Sequence, residues 1–337
     1  MRTSVGLLIT LIVAAAGIFA FSPRTTPALD DSHIPVHDMQ LNAIVETAAG
    51  LVTAGELGHI LISRDGGEQW ERAELSTQRH ALITRLRFSD DGRHGLAIGH
   101  EGWILRTEDG GRHWQEVAFD TERGVPLLDL AQLPSGRWMA VGAFGRVLAS
   151  DDSGLSWQPV SIPGNTDWHL NAIRPAEDGR HWLIVGEAGT AFRSLDGGQS
   201  WAPIPAFYEG SLYGARHLGE ATWVAYGMRG NVFRSEDHGA SWQAVPLDLP
   251  LSLFADLRLP GGTLLLAGQG GTVLASHDRG RSFSVVRRQG KRTLTDLALT
   301  ADGDWLLTSN DGLQRIAGQS QAELANALPL LASDAGA

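Results

Sequence analysis

Six aspartates recur in one register along this chain of 337 residues: Asp65, Asp109, Asp152, Asp196, Asp237 and Asp278. A carboxylate can act as acid, base or nucleophile, and two carboxyl groups flanking a sugar bond are the machinery of glycoside hydrolysis. Other groups could join such a centre. Glu209 or Glu187 could serve one of the tyrosines Tyr208, Tyr213 and Tyr226, and Glu101 with Glu187 could act as a pair. The twelve histidines are scattered, and His33 and His37 lie four apart in a segment that reads as extended, so nothing makes them converge on a metal. The absence of cysteine removes disulfides, thiolate metal sites, a cysteine nucleophile and a lipid-anchored amino-terminal cysteine. No catalytic residue, cofactor or metal ligand is assigned, although calcium on loop acids stays open.

The regularity of the aspartates argues against catalysis. Each sits in Ser/Thr-x-Asp-x-Gly-x-x-Trp, ending at Trp70, Trp114, Trp157, Trp201, Trp242 and, in the sixth copy, Phe283; the aspartates are 44, 43, 44, 41 and 41 residues apart. A catalytic group is needed once per site, not six times. A turn aspartate can accept hydrogen bonds from exposed backbone N–H groups, and the glycine can adopt a backbone that other residues resist. The aspartates and their aromatic partners are therefore assigned to structure.

Each box follows a Gly-x-x-Gly step, at 55–58, 99–102, 142–145, 186–189, 227–230 and 268–271, with a degenerate seventh, "SNDG", ending at Gly312. Four residues before each step lie Leu51, Gly95, Trp138, Trp182, Trp223, Leu264 and Trp305. One unit thus reads as four short strands joined by tight turns, which is the blade of a β-propeller. The expectation is an all-β, seven-bladed β-propeller with four-stranded blades at about 41–76, 82–120, 126–163, 169–206, 211–248, 252–288 and 293–317. The last blade lacks a fourth strand, and residues 31–40 are expected to supply it as an N-terminal closing strand. The domain reading is 1–28 signal peptide or signal anchor, 29–317 propeller and 318–337 C-terminal tail, in which Ser320 and Glu323 could cap one short helix.

The signal reading rests on Arg2 ahead of seventeen largely apolar residues, 5–21, and a polar stretch with prolines behind them. Cleavage after Ala16 or Ala28 and retention as an anchor both stay open. Either way the remainder is expected outside the cytoplasm, in a periplasm or on a lumen side. The net charge of −11 would repel a phosphate backbone, so nucleic-acid binding is excluded.

The boxes resemble the Asp-boxes (BNR repeats) of sialidases, over essentially all of 41–317. Evenly filled, short-looped blades behind an export signal resemble, more narrowly, the photosystem II assembly and stability factor family of seven-bladed propellers. That resemblance implies a non-enzymatic accessory protein that helps an integral membrane complex assemble, with a client of photosystem type or of exporter type. The chain departs from the cyanobacterial pattern in lacking the lipid-anchor cysteine. A sialidase would need three arginines on the substrate carboxylate and a Phe/Tyr-Arg-Ile-Pro segment near the start; that segment is missing, and the loops are too short to wall a deep sugar pocket.

Function is expected where the repeat varies, on the face of the Gly-x-x-Gly turns and inter-blade loops. The turns offer His100, Glu101, Phe144, Glu187 and Arg229; the loops offer Trp168, Phe207, Tyr208 and Glu209, and Trp103 is taken as covering its own turn. The basic stretch Arg287, Arg288, Lys291 and Arg292 could orient an acidic partner or touch anionic lipid headgroups. The protein is thus expected to be a monomeric scaffold for a membrane protein. The rival reading is a carbohydrate- or small-ligand-binding propeller, with a sialidase-like hydrolase behind it.

Overall fold

The computed structural model describes residues 11–19, 22 and 36–318. The chain divides into two units, 1–34 and 35–337. In the first, residues 11–19 are α-helical; apart from Ser22, the rest of the expected signal or anchor segment lies outside the described residues. Among the described residues no helix is long and apolar enough to cross a membrane. The expected helix at Ser320–Glu323 also lies outside the described residues.

The second unit is a seven-bladed propeller. Its seven sheets are antiparallel meanders in chain order, six of them built on four strands. The innermost strands are Leu41–Thr47, Ile83–Phe88, Leu127–Gln132, Leu170–Pro175, Leu212–His217, Leu253–Arg258 and Leu294–Leu299. Second strands such as Trp138–Gly142, Trp182–Gly186 and Trp223–Gly227 are buried at every position, because neighbouring blades cover both faces. This is why they read as unbroken apolar runs rather than alternating ones. Trp138, Trp182, Trp223 and Trp305 are each at most 2% exposed at the start of these strands, and removing such a side chain typically costs about 3–5 kcal/mol.

The first glycine of each Gly-x-x-Gly step is there for close approach. A Cβ on Gly55 would lie 2.0 Å from the carbonyl oxygen of Gln40, and one on Gly142 would lie 2.3 Å from that of Pro126. The third residue of the step is left-handed whatever its type, with φ of 53° at Leu57, 52° at Glu101, 52° at Phe144, 51° at Ala188 and 54° at Arg229. Such a backbone is costly for a non-glycine residue and holds its side chain outward at the apex of the turn.

Ring closure differs from the sequence expectation. Blade seven has three strands among the described residues. Residues 36–39 form a turn, not an outer strand; residues 31–35 of the expected donor lie outside the described residues. The turn sits on the last loop of blade seven, where Gly312 N donates to Met39 O and Leu313 N to Val36 O, both at 2.9 Å. A tight turn satisfies those loop amides without pairing along the blade's edge. Closure itself runs through the inner strands and the first box: Ile44 N donates to Asp296 Oδ2 at 3.2 Å, Thr295 Oγ1 donates to Leu41 O, and Arg315 pairs with Glu68. A second departure is Glu74–Leu75, which pairs in parallel with His113–Ala118 and covers the outer edge of blade two.

Candidate functional site

The box aspartates are saturated within their own turns. Asp109 Oδ1 accepts from Thr107 Oγ1 at 2.9 Å, Arg112 N at 3.0 Å and His113 N at 3.1 Å, and its Oδ2 meets His113 Nδ1 at 2.5 Å. In the other boxes Asp65, Asp152, Asp196, Asp237 and Asp278 accept from the preceding serine and from backbone N–H groups of the turn. In the first five boxes the tryptophan closes the turn; Trp114 Nε1 donates to Gly111 O at 2.8 Å. Burial pushes the Asp109 carboxyl up, but the bonds from His113 and Thr107 outweigh it and hold the pKa at about 2. A carboxylate committed in this way cannot take up a proton near neutrality, so it is a poor general acid or base.

On the opposite face, the Gly-x-x-Gly turns are bonded to the inter-blade loops. Gly145 N donates to Trp168 O, Gly189 N to Gly210 O and Gly271 N to Arg292 O, at 2.9, 2.9 and 2.7 Å. This brings Phe144, Trp168 and Glu187 into one neighbourhood around His169. The Phe144 ring meets His169 edge-on at 5.1 Å, and His169 Nδ1 lies 3.3 Å from Glu187 Oε2. Phe144 is 62% exposed and Trp168 49%, so both present apolar surface to solvent. His100 and Glu101 are half-buried on the blade-two turn, and Arg229 is exposed on that of blade five.

The packing bears on three of the expectations. Phe207 and Tyr208 are half-buried: Phe207 stacks on Trp242 at 4.9 Å and Tyr208 packs on Phe233 at 5.2 Å, while the neighbouring Glu209 is exposed. Trp103 is 1% exposed with Nε1 donating to Glu116 Oε2 at 2.9 Å, so it presents no contact surface, and its ring packs over Gly58 of the neighbouring blade-one turn. Arg287 and Arg288 belong to the outer strand of blade six, Ser284–Arg288, which is longer than its counterparts in blades three to five. Arg287 Nη1 is bonded to Gln314 and Arg292 Nε to Asp311, leaving Arg288 and Lys291 as the exposed cations.

The channel mouth was not visible as a site in the sequence. Every inner strand skips its second residue in the pairing register, as between Leu41 and Ala43 or Leu212 and Gly214. The seven bulged residues all line one cavity of about 470 Å³. Four of them clasp the next inner strand: Asn42 donates to Ile83 O, Thr84 to Leu127 O, Asn171 to Leu212 O and Thr295 to Leu41 O. The remaining three, Leu128, Tyr213 and Phe254, present apolar and aromatic surface, with the Tyr213 and Phe254 rings 4.8 Å apart. A bulge re-aims a side chain; here it does so once per blade.

Next to this ring lies a charged layer. Asp129, fully buried, meets Arg85 at 3.4 Å, Arg87 at 3.3 Å and also Arg174. Asp256 accepts from Tyr226 Oη at 2.6 Å and pairs with Arg216, and Asp296 lies 3.6 Å from Arg85. These four arginines face three aspartates, one cation in excess. Burial and the neighbouring Arg85 pull Arg87 down to about 10; burial, Arg87 and Arg85 pull Arg174 down to about 9. Of the four arginines Arg85 lines the mouth, so a negatively charged group entering there would meet its guanidinium, whereas Arg87, Arg174 and Arg216 line a second cavity of about 770 Å³ with Pro134, Glu177 and Gly179. The signal for this layer was present as charges within otherwise apolar inner strands ("ITRLRF", "LLDLAQ", "LYGARH").

The family profile described as Photosynthesis system II assembly factor YCF48 matches residues 29–126 and 110–313. No curated protein matches the chain. Among solved structures, YCF48 from Cyanidioschyzon merolae is similar at 15% identity and a TM-score of 0.66, over 84% of this chain and 97% of that one. YCF48 bound to D1 peptide is similar at 17% identity and 0.65, over 88% and 100%. A streptogramin B lyase is similar at 12% identity and 0.69, over 85% and 96%. At such identities the likeness is one of fold, and the lyase shows that a similar ring can also carry an enzyme.

Proposed function

The chain belongs to the family of the photosynthesis system II assembly factor YCF48, and on that premise we propose that it is an exported, non-catalytic propeller that grips an extramembrane segment of an integral membrane protein during assembly of its complex. The observation that carries this reading is the open channel mouth, with Leu128, Tyr213 and Phe254 on one side and Arg85 of the charged layer in its wall. Aromatic and aliphatic groups supply buried contact, and the charge selects an acidic segment or a chain terminus. A related YCF48 is bound to a D1 peptide, which supports a peptide as the guest. Phe144 and Trp168 extend the apolar surface outward, and Arg288 and Lys291 orient the client or touch anionic headgroups. The client is of photosystem or exporter type, and the amino-terminal apolar run supports an extracytoplasmic location.

Photo-crosslinking in the native host tests this. A photoreactive residue at Phe254 or Phe144 is expected to capture one integral membrane protein, while the same group at Leu155, 60% exposed on the Asp-box face, captures none. Equal capture from Leu155, or none from Phe254 and Phe144, would overturn the reading. The same cavity favours a small-ligand-binding propeller as the second reading; a glycan-array signal lost in Tyr213→Ala would support that one instead.

A further inference from the structure

The Asp-box face holds a cluster outside the channel, in which Asp178 Oδ1 caps its own hairpin by accepting from Arg180 N at 2.8 Å and His181 N at 2.9 Å. Asp178 and His181 lie on the hairpin between the first two strands of blade four, and His238 is the residue after the box aspartate of blade five. Their donor atoms all lie within 4.8 Å of one another. The imidazoles of His181 and His238 stack with centroids 3.8 Å apart, and His181 Nδ1 lies 2.5 Å from Asp178 Oδ2. His238 Nδ1 is buried and has no hydrogen-bond partner among the described residues.

His238 is an expensive residue at its position. Its φ is 56°, in the left-handed region, where Gly66, Gly110 and Gly197 stand in other boxes. A histidine there, with a buried nitrogen lacking a partner and a second imidazole stacked on it, does not make the turn easier to form. The ring contains its own control. The same Asp-Gly-Arg-His hairpin occurs in blade two, where His94 Nδ1 lies 2.6 Å from Asp91 Oδ2, but the following box carries Ser153 in place of a histidine. His217, nearby, has both nitrogens occupied, by Glu220 O at 2.8 Å and Glu177 N at 3.3 Å, and is not free to join.

We propose that Asp178, His181 and His238 bind a divalent transition-metal ion of the zinc class, stapling blade four to blade five. Two imidazoles and one carboxylate suit Zn²⁺, Cu²⁺ or Ni²⁺, whereas Ca²⁺ and Mg²⁺ prefer all-oxygen sites. Bonds of about 2.0–2.2 Å require the two stacked rings to turn out of parallel, because an imidazole nitrogen coordinates in its own ring plane; three protein ligands then leave a fourth position for water or a partner's side chain. The ion would supply the contact that His238 Nδ1 lacks. The site is on the face opposite the channel mouth and does not depend on the proposed client.

The test is a zinc titration of untagged protein against a chromophoric chelator, together with melting curves with and without zinc. Wild type and His94→Ala are expected to bind one equivalent and to melt higher with zinc. His238→Ser, which installs the residue blade three carries, and His181→Gln are expected to lose more than about tenfold in affinity and the zinc-dependent rise in melting temperature. Metal-free melting curves report folding of each variant, and if one fails to fold the other decides. No zinc binding by wild type, or undiminished binding by a folded His238→Ser or His181→Gln, would overturn the proposal.

Discussion

Tyr226 reaches Asp256 through the space that Gly214 leaves empty. The Tyr226 hydroxyl donates to Asp256 Oδ1 at 2.6 Å, and a Cβ on Gly214 would lie 2.2 Å from that hydroxyl. Gly214 is therefore a packing requirement of the charged layer. Gly214→Ala should expel the hydroxyl and cost about 1–3 kcal/mol, and Tyr226→Phe about 1–2 kcal/mol, because a buried carboxylate loses a donor. Urea unfolding of both variants checks this; a neutral Gly214→Ala would contradict the geometry.

Asp129 is the hub of the channel, with three arginines on one fully buried carboxylate. Asp129→Ala should destabilise by about 3–5 kcal/mol, since it leaves guanidinium groups buried without a counter-charge. Pairing it with Arg174→Leu should recover part of that loss. Guanidinium denaturation of the single and double variants reads the coupling, and simple additivity would show that the two side chains do not interact.

Acid should loosen the Asp-box face first. Asp109, Asp152 and Asp196 have native pKa values of about 2 against an ordinary value of 3.8. A depressed native pKa contributes stability above the unfolded value, and that contribution is lost as pH falls from about 4 towards 2. Melting temperature should fall across that window and more shallowly in Asp109→Asn. Asp109→Ala at neutral pH should cost about 1–3 kcal/mol by orphaning turn amides, while leaving client capture intact.

Binding and stability should separate on the Gly-x-x-Gly face. Phe144→Ala with Trp168→Ala removes exposed apolar surface and should change the melting temperature little while reducing client recovery severalfold. Charge reversal at Arg288 and Lys291 should weaken recovery in a salt-dependent way. Reversal at Arg287 or Arg292 should also cost stability, because those side chains hold Gln314 and Asp311. Native-membrane pull-downs beside thermal melts check all three; a large melting loss in Phe144→Ala would make that residue structural.

The sequence by itself determined the ring: the aspartate spacing, the Gly-x-x-Gly steps and the in-register tryptophans are local and periodic, and periodic local chemistry is legible one residue at a time. Outer-facing residues such as Phe144 and Trp168 could be named for the same reason, since departures from a repeat stand out. Tertiary structure alone decided where unlike blades meet. The bulged ring from Asn42 to Thr295, the junction of Arg85, Arg87 and Arg174 on Asp129, and the stacking of His181 on His238 each join residues from separate repeats. Within any single repeat these are only a charge on an inner strand or a histidine in a turn. Their roles come from closure, which sets seven inner strands around one axis and lays each box against the blade before it.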